Sequence, residues 1–232
     1  MNAWDLVKNE RYQEAVSLLS EQARSKPSTS VLNNRGMAYL HLGNFDAAFA
    51  DFRTADQISS TALRTECNGA FCGVALWMAG REEEAIVTWR SGVEASLAGA
   101  VGYGDAAGGV TIGNLLMFGA AARDDEEANR LAMKLLKKRL RTKQSTAWPG
   151  PVSRYLLGSL SENDMHAAVS AVPILKERES CQAQFYVGVH ALLTNDLSRF
   201  AAAMQQAFEL GRVAKLGAEY YLALYERKRN RA

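Results

Sequence analysis

The chain has 232 residues, of which 48% are hydrophobic, and it carries a formal net charge of +2. It is long enough to bury a sizeable core without disulfides or metals, and its near-balanced charge does not indicate a nucleic-acid or membrane-surface protein. The first residues, MNAWDLVKNERYQEAV, are interrupted by charges. We therefore expect a cytoplasmic protein with no signal peptide and no membrane-spanning helix. The three cysteines form no Cys-x-x-Cys pair, which is typical of reduced, buried thiols.

The N-terminal segment predicts a helical hairpin. In NERYQEAVSLLSEQARSKP, Ala15 and Leu19 share one face of a helix that begins near Tyr12 and ends before Pro27. The helix before it, around Trp4, has room for little more than a turn or two. The pattern therefore predicts a hairpin whose first helix is short.

The next two segments repeat the same pattern. In LNNRGMAYLHLGNFDAAFADFRTA, a helix with Gly36 is followed by a turn at Gly43 and a second helix with Phe52. In NGAFCGVALWMAGREEEAIVTWRSGVEA, Gly73 and Trp89 occupy the matching positions. These segments resemble the tetratricopeptide repeat (TPR), a helix-turn-helix unit. The resemblance implies stacked hairpins in a right-handed superhelix, in which small residues allow close helix packing and aromatic residues fill the gaps.

A glycine-rich stretch, GYGDAAGGVTIG at residues 102–113, has the composition of a nucleotide-binding loop. A dinucleotide-binding loop follows a strand, whereas the preceding IVTWRSGVEASLAG predicts a helix, and no Gly-Lys-Ser or Gly-Lys-Thr occurs. We therefore predict an extended connection at 98–104 and close-contact positions on a helix for Gly108, Gly109 and Gly113. Nucleotide binding that depends on Asp105 is the alternative.

A basic run, KLLKKRLRTK, follows at residues 134–143. On a helix its cations form a solvated face near the C-terminus, where the helix dipole favours positive charge. The alternative is a patch that docks an acidic partner or nucleic acid, and the lack of interleaved aromatic residues does not favour nucleic acid. The residues of this possible basic patch are Lys134, Lys137, Lys138 and Arg141.

The C-terminal half repeats less regularly. The segment WPGP must break helix at residues 148–151, a capping box runs from Ser161 to Asp164, and AEYYLALYERKRNRA predicts an amphipathic helix that caps the array. Residues 147–226 resemble the NlpI family of bacterial TPR lipoproteins, on the order and spacing of Trp-Pro, Phe-Tyr-Val-Gly and Glu-Tyr-Tyr motifs. That resemblance implies a helical adaptor. Membrane anchoring is not carried over, because the signal peptide and lipidated cysteine of that family are missing from this sequence.

Catalytic and metal-binding patterns are not found. The three histidines, His41, His166 and His190, lie far apart and outside metal-ligand spacings, and no Gly-x-Ser-x-Gly occurs. The acidic runs at residues 82–84 and 124–127 complement helix N-termini rather than form a metal or acid-base site. We therefore predict no catalytic residue, no metal and no cofactor.

The TPR resemblance also implies a binding surface, since the first helices of such repeats line a concave groove. The matching positions are mostly apolar, which suits an inserted helix or hydrophobic segment. In the alternative, another part of the same chain covers them. The implied partner-binding residues are Asn33, Met37, Leu40, His41, Ala70, Val74, Trp77 and Met78.

These observations predict an all-α TPR-type helical-hairpin solenoid with a C-terminal capping helix, in one array over residues 1–232. The array has three recognisable repeats at 1–97, an irregular hairpin at 98–146, and NlpI-like degenerate repeats and a cap at 147–232. The predicted function is that of a non-catalytic adaptor or scaffold that binds a protein or peptide. The alternatives are a dedicated inhibitor or immunity protein that occludes a cognate enzyme or toxin, and an enzyme or nucleotide sensor that uses residues 102–113. Self-association through the end repeats stays open.

Overall fold

The computed structural model describes residues 2–62, 67–100 and 105–229. These residues form thirteen α-helices and one 3₁₀ turn, with no β-strand among them. The helices are α1 (Ala3–Lys8), α2 (Tyr12–Ser25), α3 (Thr29–Leu42), α4 (Phe45–Ala62), α5 (Cys67–Met78), α6 (Glu82–Ala98), α7 (Thr111–Arg123), α8 (Glu126–Arg139), α9 (Gly150–Leu156), α10 (Glu162–Ala167), α11 (Pro173–Leu193), α12 (Leu197–Gly211) and α13 (Ala218–Arg229), and the 3₁₀ turn is Lys143–Thr146.

Consecutive helices pack as hairpins, and the hairpins stack on one another. α1 packs on α2, α3 on α4, α5 on α6, α7 on α8 and α11 on α12, while α2, α4 and α6 each also contact the first helix of the next hairpin. The first helices α1, α3, α5, α7 and α11 contact each other in turn. The predicted all-α helical-hairpin solenoid is therefore confirmed, and its inner surface is formed by the first helices.

Glycines on first helices allow the close packing that the sequence predicts. A Cβ atom on Gly36 would lie 2.6 Å from Cε1 of Phe52, and one on Gly73 would lie 2.1 Å from Nε1 of Trp89. Both distances are far below a carbon contact, so the second-helix aromatic ring occupies the space of the missing side chain. This pairing of a glycine with an aromatic residue allows the two helices of each hairpin to pack closely.

The helix ends follow the predicted signals. α1 has only six residues, in agreement with a short first helix. The acidic run at 82–84 occupies the first turn of α6, and the Asp125 carboxylate accepts a hydrogen bond of 2.9 Å from the Ala128 backbone N–H at the start of α8. These carboxylates complement the positive ends of their helices.

The glycine-rich stretch differs from its prediction. Gly108 and Gly109 lie in a turn before α7 with φ values of 85° and 86°, a left-handed conformation that favours glycine. The Asp105 carboxylate holds this turn by accepting hydrogen bonds from the backbone N–H groups of Gly109 at 3.0 Å and Thr111 at 2.9 Å. The helical prediction for Gly108 and Gly109 is therefore wrong. It is correct for Gly113, which lies on α7 and where an added Cβ atom would lie 2.8 Å from Cδ2 of Leu136. Residues 101–104 lie outside the described residues.

The C-terminal half contains two short helices and one long one. The break at WPGP is confined to residues 148–149, because α9 already begins at Gly150 and carries a proline in its first turn, where the missing N–H is tolerated. Ser161 caps α10 by accepting a hydrogen bond of 3.1 Å from the Asp164 backbone N–H. The long α11 then packs along α12 as the last hairpin of the array.

The last helix does more than cap this hairpin. α13 packs on α12 and α11, and it also crosses the inner surface to contact α5. The preceding segment reaches the N-terminal hairpin, where the buried Lys215 ammonium donates to the backbone carbonyls of Val7 at 3.4 Å and Lys8 at 3.1 Å. The C-terminal segment therefore bridges the first and last hairpins and closes the array.

One hydrophobic core runs through most of the array, and a smaller cluster lies in the N-terminal hairpin. Cys72 and Cys181 are buried free thiols, as predicted, whereas the side chain of Cys67 lies outside the described residues. Across the helices described above, none combines the length and the apolar character that crossing a bilayer requires.

Candidate functional site

Two cavities lie on the inner surface, and each is lined in part by residues of α13. The first, which we name the Trp148 cavity, has a volume of about 410 Å³. Its apolar walls are Met37, Ala70, Phe71, Ile112, Trp148 and Leu216, and its polar side chains are Asp105, Thr111, Arg178, Gln182 and Glu219. The second, the His41 cavity, has a volume of about 460 Å³ and is lined by Leu40, His41, Phe45, Met78, Leu224, Tyr225, Lys228 and Arg229.

The residues of the implied groove are distributed around α13. Met37 and Ala70 line the Trp148 cavity. Leu40, His41 and Met78 line the His41 cavity. Val74 and Trp77 are fully buried, so the structure has them covered by the chain itself, which is the alternative left open by the sequence. Asn33, on α3, is half-buried, and its Oδ1 atom has no hydrogen-bond partner among the described residues.

Trp77 fastens α13 to the inner surface. Its indole N–H donates a hydrogen bond of 2.6 Å to Oε1 of Glu226 on α13, across 149 residues of sequence. Its ring packs against Phe118 at 4.7 Å and Trp89 at 5.8 Å between centroids. Burial raises the pKa of Glu226, and the hydrogen bond from Trp77 opposes that effect. Trp77 is therefore part of the core and holds the helix that covers the groove.

A buried polar network forms the floor of the Trp148 cavity. The Trp148 indole N–H donates to Oε1 of Gln182 at 2.7 Å, and the Gln182 amide donates to Oε2 of Glu219 at 2.9 Å. The Tyr186 hydroxyl donates to Oε1 of Glu219 at 3.1 Å. Burial raises the pKa of Glu219, while these hydrogen bonds and the nearby Arg178 act in the opposite direction. Both carboxylate oxygens thus have donors, and the network fixes the indole of Trp148 as a cavity wall.

Arg178 is the positively charged residue that lines this cavity. The Arg178 side chain is about one third exposed, and its guanidinium lies 3.7 Å from Oε1 of Glu179, beyond hydrogen-bond distance. Glu179 accepts a hydrogen bond of 2.8 Å from the Ser170 backbone N–H through its other oxygen. Arg178 makes no hydrogen bond with the residues that the structure describes. The cavity therefore combines apolar walls with a guanidinium that still has donors available for an entering acceptor.

His41 joins the N-terminal repeats to the C-terminal segment. Its imidazole stacks on the Tyr12 ring with a centroid distance of 4.2 Å and meets the edge of Tyr221 at 5.3 Å. Burial, together with the nearby Lys215 and Lys228, lowers the pKa of His41 to about 4, and Glu10 acts in the opposite direction. His41 is therefore neutral at physiological pH and packs as an aromatic ring.

This burial makes stability depend on pH. The folded-state pKa of His41, about 4, lies below the usual histidine value of 6.5, so acidification protonates the unfolded chain first. The stabilisation is complete above pH 6.5 and is lost as the pH falls toward 4. In urea denaturation from pH 7 to pH 4, we expect the wild-type protein to lose roughly 2–3 kcal/mol more than His41→Gln.

The variant also serves as the control for other titrating groups. Burial raises the pKa values of Glu219 and Glu226, so protonation of these groups stabilises the folded protein on acidification. Both groups titrate in the wild type and in the variant, so their contributions cancel in the difference between the two proteins. An identical pH dependence for the wild type and His41→Gln would contradict the assignment to His41.

The basic residues predicted as a patch lie elsewhere. Lys134, Lys137, Lys138 and Arg141 line a groove of about 630 Å³ on α8, together with Leu97, Arg130 and Met133. This groove shares no lining residue with either cavity. Over the described part of the chain, no cluster of three His, Cys, Asp or Glu side chains could hold a metal ion.

A comparison with protein families matches residues 1–62, the segment from α1 to the end of α4, to one family. That family is the tetratricopeptide repeat. The match confirms the resemblance predicted for the first two hairpins, and the hairpin α5–α6 follows outside it with the same glycine and aromatic pairing. No curated protein matches the chain. The resemblance of residues 147–226 to the NlpI family therefore stays a prediction.

Several site residues escaped the sequence analysis. Phe71, Arg178 and Leu216 line the Trp148 cavity but come from three distant segments of the chain. Phe71 is one position beyond the predicted Ala70, on a helix already assigned to the groove, so it carried a weak signal. Arg178 and Leu216 carried none, because nothing in their local pattern indicates which surface they meet.

Proposed function

We propose that the chain is a non-catalytic protein-binding module that holds a segment of a partner protein at the Trp148 cavity. Tetratricopeptide repeats generally mediate protein interactions, and the matched hairpins supply one wall of this cavity through Met37. The observation that carries the proposal is the cavity itself, an open space of about 410 Å³ on the inner surface beside α13. Cavities of this size with apolar walls and few polar groups are typical binding sites.

The cavity, rather than the whole groove, is the proposed contact surface. α13 already fills the middle of the inner surface as a helix, with Val74 and Trp77 beneath it. A partner helix laid along the entire groove would have to displace α13. A partner segment that inserts one large apolar side chain beside α13 needs no such rearrangement, and a buried anchor of this kind supplies much of the energy of a protein interface.

The lining indicates the chemistry of that segment. Phe71, Trp148 and Leu216 would contact an apolar anchor side chain. Arg178, with no hydrogen-bond acceptor among the described residues, would donate to a backbone carbonyl or an acidic side chain next to that anchor. The proposed partner motif is therefore an aromatic or aliphatic residue beside a hydrogen-bond acceptor.

A cavity-filling variant tests the proposal. Ala106 lines the cavity and is exposed, so Ala106→Trp should occupy the space without disturbing the core. Peptides selected from a displayed random library on the folded wild-type protein should share an apolar anchor. We expect their affinity for Ala106→Trp to fall at least tenfold, measured by isothermal titration calorimetry.

Ala50→Trp is the matched control, because Ala50 is exposed on α4 and does not line the cavity. It should bind the selected peptides as the wild type does. Equal affinity of the selected peptides for both variants would place binding elsewhere, and failure to select any peptide would overturn the cavity as a protein-binding site.

The stoichiometry of capture from a native lysate separates two forms of this function. Several exchangeable partners lost in Ala106→Trp would indicate an adaptor or scaffold, the role that the NlpI-like C-terminal half would imply. A single stoichiometric partner held with high affinity would indicate a dedicated inhibitor or immunity protein instead.

A further inference from the structure

A second surface, independent of the Trp148 cavity, lies on α8. Arg130, Lys134, Lys137 and Arg141 follow one another at intervals of four, three and four residues, a spacing that places side chains on one face of a helix. At a rise of 1.5 Å per residue they span about 16 Å, with Arg141 just beyond the helix end. These cations therefore form a straight positive stripe along the outside of the array.

The stripe borders a groove with an apolar floor. The groove has a volume of about 630 Å³, its apolar residues are Leu97 and Met133, and its other lining residues are cations. Leu97 and Met133 are both half-buried, so part of each side chain faces the groove. We name this surface the α8 groove, lined by Leu97, Arg130, Met133, Lys134, Lys137, Lys138 and Arg141.

No carboxylate among the described residues lines the α8 groove. Arg130 pairs with Glu126 at 3.1 Å, at the start of the stripe. Lys134, Lys137 and Arg141 have no ion pair with a described residue, and the exposed Glu94, one turn before Leu97 on α6, pairs with none of them. Five positive charges thus gather in one groove of a chain whose formal net charge is only +2.

The helix dipole accounts for only part of this charge. Cations in the last turn of α8 are favoured at its C-terminus, and α6 ends beside them. There Lys138 donates to the Leu97 carbonyl at 3.1 Å, and the buried Arg139 donates to the Ser96 carbonyl at 2.9 Å. Lys134 and Arg130 lie before that turn, and like charges four residues apart repel each other.

We propose that the α8 groove binds an acidic amphipathic segment of a partner protein. Carboxylates of that segment would face the stripe, and its apolar side chains would contact Leu97 and Met133. Charge complementarity over about 16 Å supports this occupant. Nucleic acid is not favoured, because no lining residue is aromatic, and a membrane surface is not favoured, because no large hydrophobic side chain in the groove is exposed.

A synthetic peptide provides the test on the full chain. The probe is a fluorescent helical peptide of about 15 residues with glutamates on one stripe and leucines beside them, long enough to follow the cations. We expect Lys134→Glu/Lys137→Glu to weaken its binding at least tenfold by fluorescence anisotropy, and we expect binding to weaken as salt rises. Lys26→Glu/Lys176→Glu is the matched control, since it makes the same change in net charge at exposed positions outside the groove.

The remaining outcomes would overturn the proposal. Equal losses in the two double variants would mean that net charge alone attracts the peptide. Equal binding of a peptide with glutamine in place of glutamate would show that ionic contacts do not contribute to the affinity. Tighter binding of a single-stranded oligonucleotide, or of phosphatidylserine vesicles, would assign the groove to nucleic acid or to a membrane surface instead. Circular dichroism of each variant establishes that the helices are intact.

Discussion

Trp77→Ala is expected to lower the free energy of unfolding by about 3–5 kcal/mol, the usual range for removing a large buried aromatic side chain. The ring of Trp77 is fully buried between Trp89 and Phe118, so truncation leaves a cavity in the centre of the core. The change also removes the hydrogen bond that the Trp77 indole donates to Glu226, a buried carboxylate on α13. We expect α13 to detach from the inner surface in this variant before the remaining hairpins unfold.

Urea and thermal denaturation followed by circular dichroism measure this effect. At this chain length, each kcal/mol corresponds to a fall of about 2–4 °C in Tm. Trp77→Phe keeps most of the ring and should cost roughly 1–3 kcal/mol, mainly for the unsatisfied Glu226. Val87→Ala, at an exposed position, should stay within about 0.5 kcal/mol of the wild type. A loss below about 1 kcal/mol for Trp77→Ala would show that the tryptophan is not a core residue.

Lys215→Met is expected to open the closed array and to cost roughly 3 kcal/mol. The Lys215 ammonium donates to the Val7 and Lys8 carbonyls, to Oε1 of Glu10 at 3.3 Å and to the Tyr12 hydroxyl at 3.3 Å. Methionine has a similar length but no donor, so these acceptors lose a charged partner, and the contact with the Val7 carbonyl is a buried one. Hydrogen exchange should become faster in α1 and α2 and stay unchanged in α7 and α8.

Glu10→Gln is the control for Lys215→Met. The Glu10 side chain is 59% exposed, and its ion pair with Lys215 is only one of four contacts of the ammonium group. Removing its charge should therefore change stability by less than about 1 kcal/mol. Unchanged exchange of the α1 and α2 amide protons in Lys215→Met would contradict the closure described above.

The hairpins could be predicted because their signals are local. Gly36 and Gly73 recur at the same place in successive units, and the aromatic residues that cover them, Phe52 and Trp89, follow sixteen residues later in both. Such spacings depend only on helix geometry within one unit. Gly108 shows the limit of this reasoning, because a glycine that permits close packing and one that permits a left-handed turn have the same one-letter code.

Long-range contacts could not be predicted from local patterns. Trp77 and Glu226 are 149 residues apart, and Lys215 lies 208 residues from Val7. In the sequence, Lys215 is one of two cations in the short connection between α12 and α13, with nothing to distinguish it from a solvated lysine. Met37 and Ala70, two residues of the predicted groove, line the Trp148 cavity, but the opposite wall comes from segments whose return to this surface depends on the closure of the array.

The bridge between the first and last hairpins has a mechanical consequence. An open solenoid deforms like a spring, since each unit is attached only to its neighbours and small rotations accumulate along the stack. Here the Lys215 contacts join the two ends, so twisting or stretching one hairpin must strain this connection as well. The Trp148 cavity is lined by residues from both joined halves, so we expect it to keep its shape when it is empty. The protein would then lose less conformational entropy on binding a ligand than an elastic array would.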